Sequence, residues 1–203
     1  MNECYRQELL RTLKILDLPP IHIDKHSDYY LYFFYHGLAD LQPNGILAFI
    51  TSNAWMNVRY GFPFQNYISH YFRIIQCWDN LLRSFSQADI NTVITFIQKP
   101  KSFPDHPKEH AITQFIRWNY AFSELLTTHL SETDSLFEVN KNSEKPLQIQ
   151  ETASYRRCDI LQEKITQYNY TPHQTDRERS DITSFYQGFP WATYFFVAPL
   201  IFF

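Results

Sequence analysis

Glycine is scarce in this sequence, with four glycines in 203 residues, at positions 37, 45, 61 and 188. This spacing cannot form a Gly-x-Gly-x-x-Gly string or a phosphate-binding loop, which excludes the usual glycine-rich cradle for a nucleotide. Charged residues are also few, at 19%, and the formal net charge is -3. The chain therefore lacks the basic balance of a protein that grips a nucleic-acid backbone by itself.

Cysteine is rare as well. Cys4, Cys77 and Cys158 are odd in number, widely spaced and without a Cys-x-x-Cys pair. This pattern predicts no disulfide framework and favours a reducing, cytoplasmic setting.

Long apolar runs are absent. The first ten residues contain no apolar signal-peptide region. The most apolar stretch, GFPWATYFFVAPLIFF, is interrupted by Pro190 and Pro199 and is shorter than the roughly 20 residues that span a bilayer. We predict that this stretch is buried in the protein and that the chain has no membrane partner.

Aromatic residues, in contrast, are abundant at 18%, and a hydrophobic fraction of 44% is sufficient for a real core. Periodicity and turn signals predict helices over 5–16, 29–41 and 63–71 and strands over 46–52, 73–78 and 91–99. The run ILAFITS (46–52) is apolar throughout, which predicts a central parallel strand that is buried on both faces. Before it, Gln42-Pro43-Asn44-Gly45 predicts a turn in which Gly45 takes a positive φ.

After Pro100 the pattern is weaker. It predicts a strand over 111–118, helices over 121–130 and 155–168, and polar connections over 131–147 and 171–184. The predicted fold class is therefore α/β for residues 1–100, followed by a less regular α+β segment over 101–203.

Four candidate site residues follow the strand ILAFITS: Asn53, Trp55, Arg59 and Tyr60. In open α/β sheets, ligands bind beyond the carboxyl ends of the strands. An amide and an aromatic ring at that place suit a flat polar ligand, such as a base flipped out of a duplex. The alternative is that Asn53 caps the turn and Trp55 belongs to the core.

A metal site is the weaker alternative. Clusters of this kind can ligate zinc, and the candidates are His22, Asp24, His26 and His36. Of these, only His22, Asp24 and His26 are close in sequence, and they lie in a loop flanked by prolines. We predict no metal.

Several strings resemble the adenine-specific DNA methyltransferases of type II restriction–modification systems that carry an Asn-Pro-Pro-Tyr motif. These strings occur in the family's order: Tyr32-Phe33-Phe34, Gly37-Leu38, Pro43-Asn44-Gly45, Phe49 to Trp55, Arg59-Tyr60-Gly61 and Phe85 to Thr92. The resemblance is specific over residues 28–99. It implies the second half of a class I (Rossmann-like) methyltransferase sheet with flanking helices, with Asn53, Trp55, Arg59 and Tyr60 on the side of the base.

The ends of the chain resemble the family more weakly. Asn2-Glu3-Cys4-Tyr5 is similar to the Asn-Pro-Pro-Tyr motif, so the resemblance implies that Asn2 accepts a hydrogen bond from the adenine amine and that Tyr5 stacks on the base. Both prolines are replaced here, and the replacements do not fix the backbone as proline does. Residues 191–203 resemble the segment that leads into the family's target-recognition domain.

The family transfers a methyl group from S-adenosylmethionine and holds this cofactor with residues that precede the Asn-Pro-Pro-Tyr motif. The resemblance therefore implies a catalytic domain truncated at both ends. We expect this chain alone to bind no S-adenosylmethionine and to be inactive. DNA, a complementary N-terminal half and a target-recognition domain are the implied partners.

Two functions are consistent with the sequence. The first is a fragment of a site-specific DNA adenine methyltransferase. The alternative is a non-enzymatic α/β interaction module that pairs with a partner chain through an exposed apolar edge.

Overall fold

The structure, a computed structural model, describes residues 3–14, 18–21, 23, 26–82, 85, 90–103, 111–129, 133, 147–167, 191 and 193–196. It confirms the predicted fold class: a six-stranded mixed sheet with flanking helices, consistent with a partial Rossmann-like methyltransferase fold.

The elements alternate along the chain. The helices are α1 (Glu3–Lys14), α2 (Tyr29–Asp40), α3 (Phe62–Tyr71), α4 (Phe122–Thr128), α5 (Gln162–Gln167) and α6 (Thr193–Phe196). The strands are β1 (Ile46–Ser52), β2 (Arg73–Asn80), β3 (Thr92–Gln98), β4 (Ile112–Trp118), β5 (Leu147–Glu151) and β6 (Tyr155–Leu161). Two 3-10 turns, Asn53–Met56 and Arg59–Gly61, lie between β1 and α3.

The strand order is β1-β3-β2-β4-β6-β5. The pair β2 and β4 is parallel, and every other neighbouring pair is antiparallel. Since β1 and β2 are both antiparallel to β3, strands β1, β2 and β4 run in the same direction. Their carboxyl ends therefore lie at the same end of the sheet. Strands from both sides of residue 100 form this single sheet.

The prediction that ILAFITS is a central strand buried on both faces is wrong for the described sheet. Strand β1 lies at the edge and pairs only with β3 there, in the antiparallel sense. Ile46, Ala48 and Ile50 are exposed on one face, whereas the alternate residues face the core. An apolar run does not by itself distinguish a central strand from an edge strand with an uncovered face.

The main core lies between one face of the sheet and helices α2 and α3. The ring centroids of Phe34 and Phe49 are 4.8 Å apart, and those of Phe34 and Phe64 are also 4.8 Å apart. A smaller cluster on the other face includes Trp78, Trp118 and the α4 residue Phe122. Helix α4 covers only part of that face, because Ile46 and Ile50 of β1 remain exposed there.

Two further predictions about local structure are corrected. In the turn before β1, Asn44 takes the positive φ, at 64°, and Gly45 does not. Asparagine tolerates this region better than most residues do, so the turn forms without using the glycine for it. The helix predicted over 155–168 is instead strand β6 followed by α5, because residues 155–161 pair with β4 and β5 on both sides.

The other predicted elements up to residue 130 are confirmed within a few residues of their predicted bounds. The polar connection predicted over 171–184 lies outside the described residues, as does nearly all of the one over 131–147. Cys4, Cys77 and Cys158 form no disulfide.

The C-terminal aromatic segment packs into the core where it is described. Trp191 and Phe195 are buried, and both rings contact Phe115 on β4. Within the described ranges, no helix has the length and apolar character needed to cross a bilayer.

Candidate functional site

The candidate site lies at the end of the sheet that holds the carboxyl ends of β1, β2 and β4. Asn53 follows β1, Asp79 and Asn80 end β2, and Trp118 ends β4. Open α/β sheets bind ligands at this end, beyond the carboxyl ends of the strands. The sequence prediction that Asn53, Trp55, Arg59 and Tyr60 follow β1 at a carboxyl end is confirmed, whereas their binding role stays a prediction.

Three backbone groups of the 3-10 turn Asn53–Met56 are hydrogen-bonded by residues outside the turn. The Asn53 N–H donates to the Asn91 carbonyl at 3.0 Å, and the Ala54 N–H donates to the Ser52 hydroxyl at 3.2 Å. The Trp55 carbonyl accepts a hydrogen bond from Nε2 of Gln65 at 2.8 Å. Because the first N–H groups of a helical turn lack partners within the turn, these contacts hold it in one conformation.

The backbone N–H of Asn53 is hydrogen-bonded, but its side chain is not bonded to any described residue. It is half-buried and makes no hydrogen bond to the described residues. An amide carries one acceptor oxygen and two N–H donors. Within the described part of the chain, this amide is therefore an unused hydrogen-bonding group on a turn whose backbone is restrained, so little backbone conformational entropy would be lost when a ligand bound it.

Trp55 lies in the core and exposes 0% of its surface. Its ring packs edge-on against Phe64 and Trp191, and its Nε1 donates to Oγ1 of Thr51 at 3.2 Å. No face of the indole is open to a base in this conformation. The described contacts are those of the core alternative, and they place Trp55 beneath the turn that carries Asn53.

Tyr60 lies in the second 3-10 turn, close to the N-terminus of α2. Its hydroxyl donates to Oδ2 of Asp28 at 2.8 Å and lies 2.8 Å from the hydroxyl of Tyr30. Burial, together with both hydrogen bonds, raises the pKa of Tyr60 above its ordinary value. Tyr60 therefore remains a neutral hydrogen-bond donor at physiological pH. Arg59 is in the same turn.

Gly61 allows the two 3-10 turns to pack closely against each other. A Cβ atom placed on Gly61 would lie 1.8 Å from the backbone oxygen of Trp55 and 2.5 Å from its carbonyl carbon. The position requires glycine for this close approach, not for its φ, which is -77°.

Two charged residues at the same end of the sheet were not predicted from the sequence. Asp79 of β2 is buried, and its Oδ2 lies 3.8 Å from Nε of Arg117 on β4. Burial raises the pKa of Asp79, although the Asn80 backbone and Arg117 oppose this shift. The polar end of the apolar strand RIIQCWDN was the available signal, but the partner on β4 follows only from the strand pairing.

The two candidate catalytic residues at the N-terminus are placed differently. Asn2 lies outside the described residues. The backbone of Tyr5 lies in the first turns of helix α1. Their roles stay a prediction.

A glycine-rich cofactor site does not fit the described residues. Gly37 is inside helix α2 against Leu47, Gly45 is in the turn before β1, and Gly61 packs on Trp55. Each of these glycines already has a close neighbour within the fold. Of the described side chains, no three His, Cys, Asp or Glu are grouped so that they could hold a metal ion. His22 and Asp24 of the metal alternative lie outside this part of the chain.

Comparison with known proteins supports the resemblance at the family level. Residues 21–85 match the sequence model of a family described as Eco57I restriction-modification methylase. The match covers about a third of the chain and includes α2, β1, both 3-10 turns and α3. Over this stretch, the chain is similar to restriction–modification methylases. No curated protein matches the chain.

Proposed function

We propose that the chain is the base-side part of an adenine-specific DNA methyltransferase of a restriction–modification system. The free amide of Asn53 carries this proposal, because it stands on a rigid turn inside the stretch that matches the methylase family. Relatives of this class transfer a methyl group from S-adenosylmethionine to the adenine exocyclic amine. The proposal leaves the DNA sequence to a target-recognition domain.

The chemistry of an asparagine amide suits adenine. Its oxygen can accept from the N6 amine while its N–H donates to a ring nitrogen, a bidentate pairing that thymine does not offer in the same pattern. In this proposal Asn53 contacts the base, and Trp55 supports the turn from the core side. Arg59 and Tyr60 belong to the second 3-10 turn, beside this contact. Asn2 and Tyr5 keep the roles that the resemblance implies.

The methyl donor would come from elsewhere. The described glycines do not form a cradle for it, so no step that involves S-adenosylmethionine is assigned to these residues. We propose that a complementary unit, in the same or another polypeptide, holds the cofactor. The formal net charge of -3 likewise fits a chain whose DNA backbone contacts are made by a partner.

The adenine preference can be tested without the cofactor. We expect deoxyadenosine to shift the NMR signals of the Asn53 side-chain amide of the full chain, and thymidine to leave them unchanged. Asn53→Ala should weaken deoxyadenosine binding by about tenfold, the value of one good hydrogen bond. Titration of the 15N-labelled protein with each nucleoside measures both effects.

Asn57→Ala is the matched control, because Asn57 is an exposed asparagine just after the same turn. It should bind deoxyadenosine as the unchanged chain does. Equal shifts with deoxyadenosine and thymidine, or equal affinities of Asn53→Ala and Asn57→Ala, would contradict the proposed function.

A second candidate function is an interaction module, and the exposed face of β1 favours it. Ile46 and Ile50 are 52% and 42% exposed on a strand that has neither a charged residue nor a proline. Natural edge strands are usually protected by such residues, because the free backbone groups otherwise pair with another chain. The occupant that fits this edge is a β-strand of a complementary chain.

The free chain should therefore self-associate through β1 as its concentration rises. Ile50→Lys should reduce this association by at least about tenfold, since a charge on an edge strand opposes strand pairing. Sedimentation velocity over a concentration series measures the effect. Leu126→Lys is the control, because Leu126 is at least as exposed as Ile50, at 53% against 42%, but lies on α4. A monodisperse monomer at every concentration would count against this function.

A further inference from the structure

Two arginines face each other across neighbouring strands of the sheet. Arg117 is the penultimate residue of β4, and Arg156 of β6 is its partner in the antiparallel register. The Cβ atoms of such partners lie about 4.5–5.5 Å apart, and like charges placed directly opposite each other are destabilising. The stability of the sheet therefore does not explain why both positions carry arginine. We call these two residues the arginine pair.

The acids beside the arginine pair do not separate the two cations. Asp79 lies opposite Arg117 on β2, and Glu151 lies opposite Arg156 on β5. Asp79 is buried, and its Oδ2 lies 3.8 Å from Nε of Arg117, which is longer than a hydrogen bond. Glu151 is exposed on the edge strand β5. Across the four strands the order of charges is thus acid, arginine, arginine, acid.

The next residue of β6, Arg157, has the opposite arrangement. Its side chain lies on the other face of the sheet, because side chains alternate along a strand. There, Nε and Nη2 of Arg157 donate to the two carboxylate oxygens of Asp159, at 2.7 Å and 2.5 Å. Guanidinium groups bind carboxylates and phosphates with the same two parallel hydrogen bonds. The fold therefore gives Arg157 a matched anion, whereas it places Arg156 against a second cation.

The strand ends that carry the arginine pair are fixed by hydrogen bonds between neighbouring elements. The Asn119 N–H donates to the Ser154 carbonyl at 2.9 Å, and Nδ2 of Asn119 donates to the Ala153 carbonyl at 2.7 Å. These bonds join the end of β4 to the turn between β5 and β6. The Leu81 N–H donates to the Trp118 carbonyl at 2.9 Å, which joins β4 to the end of β2. Little backbone entropy would therefore be lost when an anion bound here.

The arginine pair lies on the same face and at the same end of the sheet as the Asn53 turn. Arg117 shares its face with Phe115, which belongs to the main core. The Trp191 ring connects the two places, because its centroid is 5.9 Å from that of Phe115 and 5.6 Å from that of Trp55, beneath Asn53. Three strand spacings separate β1 from β4, a distance of about 14 Å.

We propose that Arg117 and Arg156 bind a backbone phosphate of the DNA strand that carries the target adenine. Two guanidinium groups present paired N–H donors to the phosphate oxygens, and the bound anion offsets the repulsion between the two cations. Since stacked nucleotides rise about 3.4 Å each, this phosphate lies within about four nucleotides of the base at Asn53. The inference rests on the proposed function, because the bound base sets the position of the strand. The net charge of -3 leaves the other backbone contacts to a partner.

A nine-nucleotide single strand, with a central adenine and four thymidines on each side, can reach from Asn53 to the arginine pair in either direction. Arg156→Gln in the full chain should weaken binding of this strand by at least about tenfold, the value of a charge-assisted hydrogen bond, and leave deoxyadenosine binding within about twofold. It should also reduce the slope of log affinity against log salt by about 0.7, the contribution of one single-strand phosphate. Fluorescence anisotropy of the labelled strand measures affinity and slope, and NMR titration measures deoxyadenosine binding.

Lys101→Gln is the matched control, because it removes the same charge at an exposed position that follows β3, at the opposite end of the sheet. It should bind the strand as the unchanged chain does. Arg117→Lys is the second variant, because lysine keeps a cation opposite Asp79 but lacks the planar fork of arginine. It should weaken strand binding by about threefold or more and leave the salt slope unchanged.

The outcomes separate the two proposals. Equal binding of deoxyadenosine and thymidine would contradict the proposed function and, with it, the strand contact. If deoxyadenosine is preferred but Arg156→Gln binds the strand as tightly as Lys101→Gln, the proposed function stands and the arginine contact is overturned. A parallel loss of strand and deoxyadenosine binding in Arg156→Gln would also overturn it, because the arginine would then support the fold. Displacement of the strand by equimolar inorganic phosphate would assign the pair to a free anion and overturn the strand contact.

Discussion

Gly61→Ala is expected to unfold the region around β1 or to prevent the chain from folding. The added Cβ would lie 1.8 Å from the Trp55 oxygen and within 3 Å of two further Trp55 backbone atoms. These atoms cannot move aside, because Gln65 holds the Trp55 carbonyl. Overpacking typically costs about 1–3 kcal/mol and occasionally more, and we expect a direct overlap with backbone atoms to lie at or above the upper end of that range. Urea denaturation followed by circular dichroism measures the loss.

Gly37→Ala is the control for this prediction. A Cβ at Gly37 would meet only the tips of the Leu47 side chain, at 3.2 Å, and that side chain can shift. Alanine also has the higher helix propensity, by about 1 kcal/mol. We expect a change in unfolding free energy of less than about 1 kcal/mol. If Gly61→Ala were as stable as Gly37→Ala, the close contact of the two turns would be refuted.

Gln162→Leu is expected to have the second-largest effect. The Gln162 side chain is buried and contacts three backbone groups where α3 leads into β2: Oε1 accepts the Ile74 N–H, and Nε2 donates to the carbonyls of Ser69 and Phe72. Leucine has a similar size but leaves all three groups without this partner. Since each buried unpaired polar group costs about 1–3 kcal/mol, we expect a loss of roughly 3–5 kcal/mol. Thermal and urea unfolding both report it.

Gln98→Leu removes a similar amide at an exposed place. There, Nε2 of Gln98 donates to the Asn44 carbonyl, and water can replace it. A change within about 0.5 kcal/mol is expected. If Gln162→Leu also fell within that range, the buried amide would not join α5 to the first half of the chain.

One sheet contains strands from both sides of residue 100. The sequence suggests one unit over 1–100 and another over 101–203, separated by a proline-rich stretch. Strands from both stretches nevertheless share one sheet, and Gln162 contacts the α3–β2 junction. Sequence patterns report which residues are apolar, but they do not report which distant strand completes a sheet.

The site was only partly visible in the sequence. Asn53 could be placed at a carboxyl end from the strand that precedes it and from the family resemblance. The hydrogen bond between Tyr60 and Asp28 could not, because the sequence position of Asp28 predicts a helix cap and only the folded chain shows its carboxylate with Tyr60. Trp55 had two readings, and its complete burial follows from the aromatic residues that α2, α3 and residue 191 bring against it.

By itself, the sequence determined the local elements of the first hundred residues, the lack of a glycine-rich nucleotide loop and the similarity to restriction–modification methylases. These properties depend on composition, periodicity and short strings, which neighbouring residues carry. The tertiary structure alone decided that β1 is an edge strand, that residues 155–161 form a strand, and that the Asp28 carboxylate accepts the Tyr60 hydroxyl. Each of these depends on hydrogen bonds between residues far apart in the chain, and no local pattern encodes such pairing.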